Sequence, residues 1–400
     1  MTHILRCEFF IKKRYNDDMI KFFKNHKLIF WECVALLSLI FLLVLFCLLR
    51  LNQDISEWWS LYPARWYMEA MGSLTRVIPF SLTELFFIST GAFIILLIVL
   101  IIKDLRKKKY NKAISRVIAI PLIVMSIVTN YFFACGFAYN RKPVALPFYE
   151  TQVENDEFID IHNYFVTDLN NCVDQLEFIS NGDVKTNLTI PQISKLVEKE
   201  YTKIKDKYFH RVAVRAKPML TSFIYRELQI TGVTFSSLNE ANINYLATNV
   251  EIPFVIAHEL AHTKGVIRED EANQVAFYVC LNSDNIYLRF SAYAMYFYQI
   301  SRLTSKGYMK NEDREKVIKY DNRYAIAVNH SIDYWKKHDL LSKIGDWFND
   351  LYIKLNGVKE GTESYSGGTS SSIDPGSLKL NASQYQKLFF EKYYRLNPKA

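Results

Sequence analysis

Residues 252–281 read IPFVIAHELAHTKGVIREDEANQVAFYVCL and predict two helices joined by a glycine turn. The first half is apolar almost throughout and has Pro253 in its opening turn, where proline favours the start of a helix. Gly265 is a natural end for that helix, because glycine adopts the left-handed conformation that follows many helices. Apolar residues then recur at helical spacing through the second half. We expect a second helix that begins near Glu269 and packs back on the first.

The first of these helices carries the pattern H-E-x-x-H. His258 and His262 are four residues apart, so their side chains project from one face of a helix about one turn apart. Two imidazoles at this spacing can share a tetrahedral Zn²⁺, and Glu259, which is rotated off the pair, can serve as general base on a water molecule. The alternative is a solvated helix with incidental histidines. The apolar neighbours disfavour it, because burying unpaired polar side chains costs free energy.

The third zinc ligand must come from outside this pattern. Glu269, Asp270 and Glu271 open the second helix, where the helix dipole favours acidic residues in any case. On a helical wheel Glu269 lies about 70° and Glu271 about 90° from the centre of the apolar face. The geometry therefore favours Glu269 by a small margin and leaves Glu271 as the reserve ligand.

Three long apolar runs precede residue 140, and we predict transmembrane helices at about 31–49, 83–102 and 117–138. Each run approaches or exceeds the ~18 residues that cross a bilayer as a helix. Seven basic residues precede the first run and seven lie between the second and the third, whereas the other connection has three. Because basic loops stay in the cytoplasm, we expect the N-terminus inside and everything after about residue 141 outside.

The net charge of +8 follows from this topology. Residues 1–116 carry 17 basic and 9 acidic side chains, and the rest of the chain carries 32 of each. The surplus indicates contact with anionic membrane lipids and not with nucleic acid. Cys172 and Cys280 are the cysteines expected outside, and the sequence leaves open whether they form a disulfide or remain two buried thiols.

The chain is predicted to be mainly α, with three transmembrane helices followed by an α-rich domain with a small β element at residues 230–235 (ITGVTF). We divide it into a membrane domain at 1–141, an extracytoplasmic domain at 142–360, and a tail at 361–400. The tail comprises a Gly/Ser-rich linker and a terminal amphipathic segment.

HELAH followed by EDEAN resembles the gluzincin pattern, in which a second helix with E-x-x-A-[DN] supplies the third zinc ligand. The resemblance implies that Glu269 is that ligand. It also implies that Asn273, one turn later, orients a zinc-bound imidazole.

The whole chain resembles an uncharacterised bacterial family of three-span membrane proteins with an external zincin-like domain. The segments that carry this likeness are PFSLTELFF, NYFFACGFAYNRKP, KPMLTSFIYRELQITGVTF, NEANIN, IPFVIAHELAH and REDEAN. The family has Thr-Gly where this chain has Leu238-Asn239. The resemblance implies zinc hydrolase chemistry. Together with the orientation of the basic loops, it makes a zinc metalloprotease of the bacterial cytoplasmic membrane, with its catalytic domain on the outer side, the leading hypothesis. The expected partner is a peptide or protein substrate at the cell envelope, and the sequence leaves open whether it is a peptide, a protein, a peptidoglycan cross-bridge or a signalling propeptide.

In zincin-like proteases the strand before the metal helix commonly pairs with substrate, which gives the ITGVTF strand this expected role. Glu240, Asn242 and Asn244 follow it and could line the cleft, or could instead cap turns. The sequence does not identify which side chain stabilises the transition state. The candidates are His330, His162, His210, His338, Tyr287, Tyr293 and Tyr296.

Two other functions remain as alternatives. Intramembrane proteolysis is disfavoured, because the apolar part of the metal helix (252–261) is too short to span a bilayer and five charges follow it. A non-catalytic, zinc-stabilised envelope scaffold or signalling protein stays open, although structural zinc sites more often take Cys or His as the fourth ligand.

Overall fold

The structure, a computed structural model, describes residues 26–305, 315–374 and 379–398. The α-helices within these residues are α1 Lys27–Leu49, α2 Gln53–Trp59, α3 Arg65–Thr75, α4 Leu82–Arg106, α5 Tyr110–Ala134, α6 Phe158–Gln175, α7 Ile190–Tyr201, α8 Ser222–Glu227, α9 Ile252–Thr263, α10 Glu269–Leu281, α11 Ile286–Tyr296, α12 Tyr298–Ser301, α13 Asn322–Lys337, α14 Ser342–Leu355 and α15 Gln384–Leu396. The strands are β1 Lys217–Pro218, β2 Gly232–Phe235, β3 Glu240–Ile243, β4 Ser372–Asp374 and β5 Lys379–Asn381. The predicted fold class, three apolar helices followed by an α-rich region with a small sheet, is confirmed.

The chain divides into two compact units, Met1–Asn52 with Leu85–Phe133, and Gln53–Glu84 with Ala134–Ala400. The first unit contains α1 and most of α4 and α5, the three described helices that are long and apolar enough to cross a membrane. The basic residues between 6 and 24, which contribute to the predicted orientation, lie outside the described residues. The third span ends earlier than predicted, because α5 stops at Ala134 and Gly136–Tyr139 forms a 3-10 turn that is buried in the second unit.

The second unit begins before the second apolar helix, at residues that we predicted as a membrane-domain loop. α2 continues through a π-helical turn, Ser60–Ala64, into α3. Tyr67 on α3 donates from its hydroxyl to the carbonyl of Ser237 at 2.9 Å, and the amide of Asn239 donates to the carbonyl of Met68 at 2.9 Å. These contacts join segments far apart in sequence, which no local pattern reveals. The predicted boundary at residue 141 is therefore wrong.

The sheet of the second unit has the order β1–β3–β2, with β3 parallel to β1 and antiparallel to β2. β2 falls within the predicted strand and lies at one edge of the sheet. The turn between β2 and β3 ends at Asn239, whose φ is 47°. Asparagine tolerates this left-handed conformation better than most residues, so the turn forms without a glycine.

Glu240 at the start of β3 anchors the beginning of α4. Its carboxylate accepts hydrogen bonds from the backbone of Leu82 and Thr83, at 3.2 and 2.7 Å, and from the Thr83 hydroxyl at 2.7 Å. It also pairs with Lys217 on β1, and both side chains are buried. A carboxylate at a helix N-terminus satisfies backbone N–H groups that have no partner within the helix.

We expect Lys217→Met to lower the free energy of unfolding by about 3–5 kcal/mol, because it leaves a buried carboxylate without its cation. Urea unfolding of the purified full-length protein in detergent measures this change. The matched control is Lys185→Met, which removes an ion pair with Glu177 whose side chains are 57% and 73% exposed. The control should be close to wild type, since exposed pairs contribute little. Equal destabilisation by both substitutions would contradict the anchoring role of Glu240.

The residues after 360 belong to the core of the second unit, which corrects the predicted linker and tail. Gly361–Ser366 forms a 3-10 turn, and β4 pairs with β5. On α15, Tyr385, Phe389 and Phe390 are buried, and the Tyr385 ring stacks on Tyr296 with centroids 3.9 Å apart. The Gly/Ser-rich composition of this stretch does not reveal such long-range packing.

The helix pair α9 and α10 forms as predicted, with the turn at Gly265. The φ of Gly265 is 89°, and a Cβ there would lie 2.7 Å from the His210 ring nitrogen Nε2. Glycine is therefore required by both its backbone conformation and the available space. Cys172 and Cys280 are buried free thiols, so no disulfide joins them.

Candidate metal centre

Three side chains from α9 and α10 meet in one cluster. The Nε2 atoms of His258 and His262 are 3.1 Å apart, and they lie 3.1 and 3.4 Å from Oε2 of Glu269. The turn at Gly265 brings the first residue of α10 back to the histidine face of α9. The structure thus brings together the three residues that we predicted as metal ligands.

The other nitrogen of each ring is fixed by an acceptor. His258 Nδ1 lies 2.8 Å from the side-chain oxygen of Asn273, and His262 Nδ1 lies 2.7 Å from the carbonyl of Val266. The Asn273 amide group in turn donates to the carbonyl of Tyr365 at 3.5 Å, which is consistent with its oxygen facing His258. Because carbonyl oxygens only accept, each Nδ1 carries a proton, and each ring turns its Nε2 toward the cluster.

Two Nε2 atoms and one carboxylate oxygen therefore converge, and a positive charge, either a proton or a metal ion, stabilises that arrangement. Burial alone would lower the pKa of His262, but the charge and hydrogen bond of Glu269 outweigh it and raise that pKa to about 9. Burial would likewise raise the pKa of Glu269, but the two histidines hold it well below its usual range. The cluster is thus a carboxylate beside two imidazoles, in surroundings that attract positive charge.

Two imidazole nitrogens and one carboxylate oxygen are a donor set that suits Zn²⁺. Among the described residues, no fourth His, Cys, Asp or Glu joins this cluster. Catalytic zinc sites keep one position open in this way, whereas structural sites usually have four protein ligands. The residues present therefore fit a zinc ion with one free coordination position.

Glu259 lies outside the ligand cluster and is held by the edge strand β2. The Thr234 hydroxyl donates to the Glu259 carboxylate at 2.7 Å. A Cβ on Gly232 would lie 2.6 Å from Oε1 of the same carboxylate, so this close approach requires glycine. Burial raises the pKa of Glu259, and the nearby histidines and Thr234 only partly offset it. A raised carboxyl pKa suits a group that takes up and releases a proton.

The predicted reserve ligand, Glu271, has different partners. Its carboxylate accepts from Arg141 at 3.0 and 3.3 Å and from the backbone of Val144. Arg141 also donates to the carbonyl of Gly265 at 3.2 Å. Glu271 therefore fixes the segment after α5 against the turn between α9 and α10, and its buried pairing with Arg141 removes it as a reserve ligand.

The predicted cleft residues on and after β3 are buried in backbone contacts. The Asn242 amide donates to the carbonyl of Val233 at 3.3 Å, and the Asn244 amide donates to that of Ile230 at 2.9 Å. Together with Glu240, which anchors α4, they do not line a cleft. The reason is that β3 is the central strand of the sheet, so its side chains are enclosed by neighbouring elements.

None of the side chains that we considered for transition-state stabilisation joins the cluster. Their contacts are His162 with the Ile318 carbonyl, His210 with the Thr263 carbonyl, His330 with the Tyr334 ring, His338 with Glu227, Tyr287 with the Asn249 carbonyl, Tyr293 with Asp168, and Tyr296 with Tyr385. Burial lowers the pKa of His210 to about 3, so this ring is neutral where it closes the end of α9.

Tyr365, in the segment that we predicted as a linker, lies beside the cluster. Its carbonyl accepts from Asn273, and its hydroxyl exchanges hydrogen bonds with Asn349 at 3.2 and 3.3 Å. Burial raises the pKa of the Tyr365 phenol well above its usual range, and the charges of Glu269 and Glu259 raise it further. The hydrogen bonds tie the phenol to Asn349, and the Tyr365 backbone is the part that contacts Asn273. Sequence reasoning missed it because a tyrosine in a Gly/Ser-rich stretch carries no periodic signal.

Fold and site together define a class: a mainly α-helical membrane protein with a buried cluster of two histidines and one carboxylate. The chain belongs to the family described as "Protein of unknown function (DUF3810)", whose model matches residues 59–370. Comparison with curated proteins and with solved structures gave no match. The matched region contains the whole cluster, the strand that holds Glu259, and Tyr365.

Proposed function

We propose that this chain is a zinc metallopeptidase of the bacterial cytoplasmic membrane that hydrolyses peptide bonds on the outer side. The observation that carries the proposal is the convergence of the two Nε2 atoms on the Glu269 carboxylate, with each Nδ1 tied to a carbonyl oxygen. The basic segments that flank the apolar helices support the orientation. The gluzincin resemblance of HELAH and EDEAN supports the peptidase class.

Each residue has a distinct role in this proposal. His258, His262 and Glu269 would hold the zinc, with Asn273 and the Val266 carbonyl orienting the two imidazoles. Zinc supplies Lewis-acid chemistry, since it polarises a substrate carbonyl and makes water more acidic. Glu259 takes a proton from the attacking water and passes it to the leaving amine.

The edge of β2 supports a peptide substrate. The Asn244 backbone N–H donates to the Thr231 carbonyl at 2.9 Å, so the backbone groups of Thr231 and Val233 face β3. In an antiparallel pair the alternate residues, Gly232 and Thr234, then direct their backbone groups to the other side. No strand pairs there in the described part of the chain. An extended peptide can add to this edge, next to the carboxylate that Gly232 and Thr234 position.

The alternative is a zinc-stabilised envelope scaffold without hydrolytic activity. The low exposure of the cluster favours it, because the side chains of His258, His262 and Glu269 are only 10–13% exposed. A structural zinc site, however, needs no general base. Here the Thr234 hydroxyl donates to the Glu259 carboxylate, and Gly232 leaves room for it. The arrangement around Glu259 therefore favours catalysis.

The test is hydrolysis of a broad synthetic peptide mixture by the purified full-length protein in detergent, analysed by mass spectrometry. We expect cleavage that 1,10-phenanthroline abolishes and that one equivalent of Zn²⁺ restores. A protein that binds one zinc, cleaves no peptide, and loses thermal stability on chelation would instead establish the scaffold function.

We expect Gly232→Ala to lower kcat by about 10–100-fold. The new methyl group would overlap the Glu259 side chain, so the carboxylate must move away from its position beside the cluster. Zinc content should stay at the wild-type value, since the ligand atoms are untouched. Activity on the most responsive peptide and metal analysis of the same sample check both points. Gly91→Ala is the matched control, because a Cβ there meets nothing within 4 Å. Unchanged activity in Gly232→Ala would contradict the role of Glu259.

We expect Tyr365→Phe to lower kcat by about 10–100-fold with KM and zinc content unchanged, if its phenol donates to charge that develops in the transition state. Steady-state kinetics on one peptide separate kcat from KM. Tyr298→Phe is the control, since that ring is 40% exposed. A loss of thermal stability without a change in kcat would assign Tyr365 a purely structural role.

A further inference from the structure

Helix α14 exposes an apolar face. Ile344, Trp347, Phe348, Leu351 and Leu355 are 50%, 59%, 60%, 39% and 67% exposed. At about 100° per residue, these five positions fall within an arc of about 100° on the helix. We call them the apolar face of α14. A contiguous surface of this kind on a folded domain marks a site of interaction.

The rest of α14 is divided between protein and water. Gly345 and Ile353 are buried against the rest of the second unit. Asn349, on the same side, donates a hydrogen bond to the Tyr365 hydroxyl. The charged residues lie between the buried side and the apolar face, within an arc of about 80°. They are Lys343, Asp346, Asp350 and Lys354. A helix with one protein-bound side, one charged side and one large apolar side suits the boundary between water and a membrane.

A second group of exposed apolar residues lies on the segment next to α14. Leu220, Phe223 and Ile224, at the start of α8, are 78%, 58% and 41% exposed. The two segments are joined where the backbone of Leu341 donates to the Glu227 carbonyl at 2.9 Å. The apolar surface of this part of the molecule therefore extends beyond one helix.

The α8 segment is held at the start of a membrane-spanning candidate. The backbone N–H groups of Leu220 and Thr221 each donate to the Glu84 carboxylate at 2.8 Å. Glu84 lies in the first turn of α4, one of the three helices apolar enough to cross a bilayer. These bonds hold exposed apolar side chains beside the first turn of that helix. They favour lipid as the occupant over a second copy of the chain or another protein.

We propose that the apolar face of α14, with Leu220, Phe223 and Ile224, docks on the surface of the bilayer as an interfacial helix. Tryptophan is enriched at this depth of a membrane. The charged side of α14 has two lysines and two aspartates, and Lys354 pairs with Asp350 at 2.7 Å, so the apolar side chains and not a net positive charge favour docking. Because Asn349 of α14 bonds Tyr365 beside the metal cluster, the docked helix also seats that segment. The proposal does not rest on the peptidase activity.

The test uses the full-length protein in vesicles of phosphatidylcholine and phosphatidylglycerol, with or without bromine near the head-group end of the acyl chains. The emission of Trp347 is taken as the difference between wild type and Trp347→Phe. We expect bromine to quench it by about twofold or more, since an interfacial helix sits ~5–10 Å into the boundary. The control is Trp335→Phe, because the Trp335 indole donates to Glu251 inside the protein, at 2.8 and 3.0 Å. Its difference emission should not respond to bromine.

Two results would overturn the proposal. Equal Trp347 emission in both lipids, together with quenching by acrylamide from water, would mean that the face is free in solution. Equal emission in both lipids with protection from acrylamide would mean that protein covers it, either a second copy or another chain.

Discussion

Glu259→Gln should abolish peptide hydrolysis while one zinc ion per chain stays bound. Glutamine keeps the shape of the side chain and can still accept the hydrogen bond that Thr234 donates at 2.7 Å. It cannot take a proton from water at neutral pH, and general-base catalysis contributes up to about 10⁴-fold to a rate. Because Glu259 is outside the ligand cluster, the metal should remain.

The measurement is kcat/KM on the most responsive peptide, with zinc per chain determined on the same sample. Asp270→Asn is the matched control, since it removes one negative charge next to a ligand, and among the described residues Asp270 forms an ion pair only with Arg268. It should retain both activity and zinc. Hydrolysis by Glu259→Gln at the wild-type rate would contradict the assignment of the general base.

Glu269→Gln should lower zinc affinity by more than about 100-fold. Substituting a residue that only orients a ligand can already cost up to about 100-fold, and Glu269 is itself a proposed ligand. The Glu269 carboxylate is the charged member of the cluster, and an amide is a weaker, neutral ligand. Zinc should then fail to raise the thermal stability of this variant, because binding to the native state is what stabilises it. Competition with a chromogenic chelator measures the affinity.

Glu271→Gln is the informative comparison, because both variants change a glutamate in the first turn of α10. This substitution should keep zinc but unfold at lower temperature, since it weakens the buried pair with Arg141. The opposite pattern, with zinc lost in Glu271→Gln and kept in Glu269→Gln, would make Glu271 the ligand.

The features that were predictable from sequence are local ones. The apolar runs gave three candidate spans, and the spacing around Gly265 gave the helix pair that carries His258, His262 and Glu269. The choice between Glu269 and Glu271 was marginal on a helical wheel. It depends on Arg141, which pairs with Glu271 from 130 positions earlier in the chain. No periodicity within the helix pair encodes that partner.

The features that sequence reasoning missed depend on long-range packing. Glu240 looked like a polar residue after a strand, yet it is enclosed with Lys217 and holds the start of α4. Tyr365 looked like part of a flexible linker, yet its backbone meets Asn273. The composition of a Gly/Ser-rich segment does not reveal which distant residues it packs against. The position of Glu259 also depends on distant residues, since Gly232 leaves space for its carboxylate and Thr234 donates a hydrogen bond to it. Both lie on β2, so the residues around HELAH do not reveal them.

We propose that His258, His262 and Glu269 bind one zinc ion, and zinc K-edge X-ray absorption of the purified full-length protein tests this directly. We expect about one zinc per chain with nitrogen and oxygen ligands only, nitrogen at ~2.0–2.1 Å, and the scattering signature of two imidazoles. His258→Ala should lose one imidazole from that signature. A protein that holds no zinc after reconstitution, a sulfur-containing shell, or a spectrum unchanged in His258→Ala would contradict it.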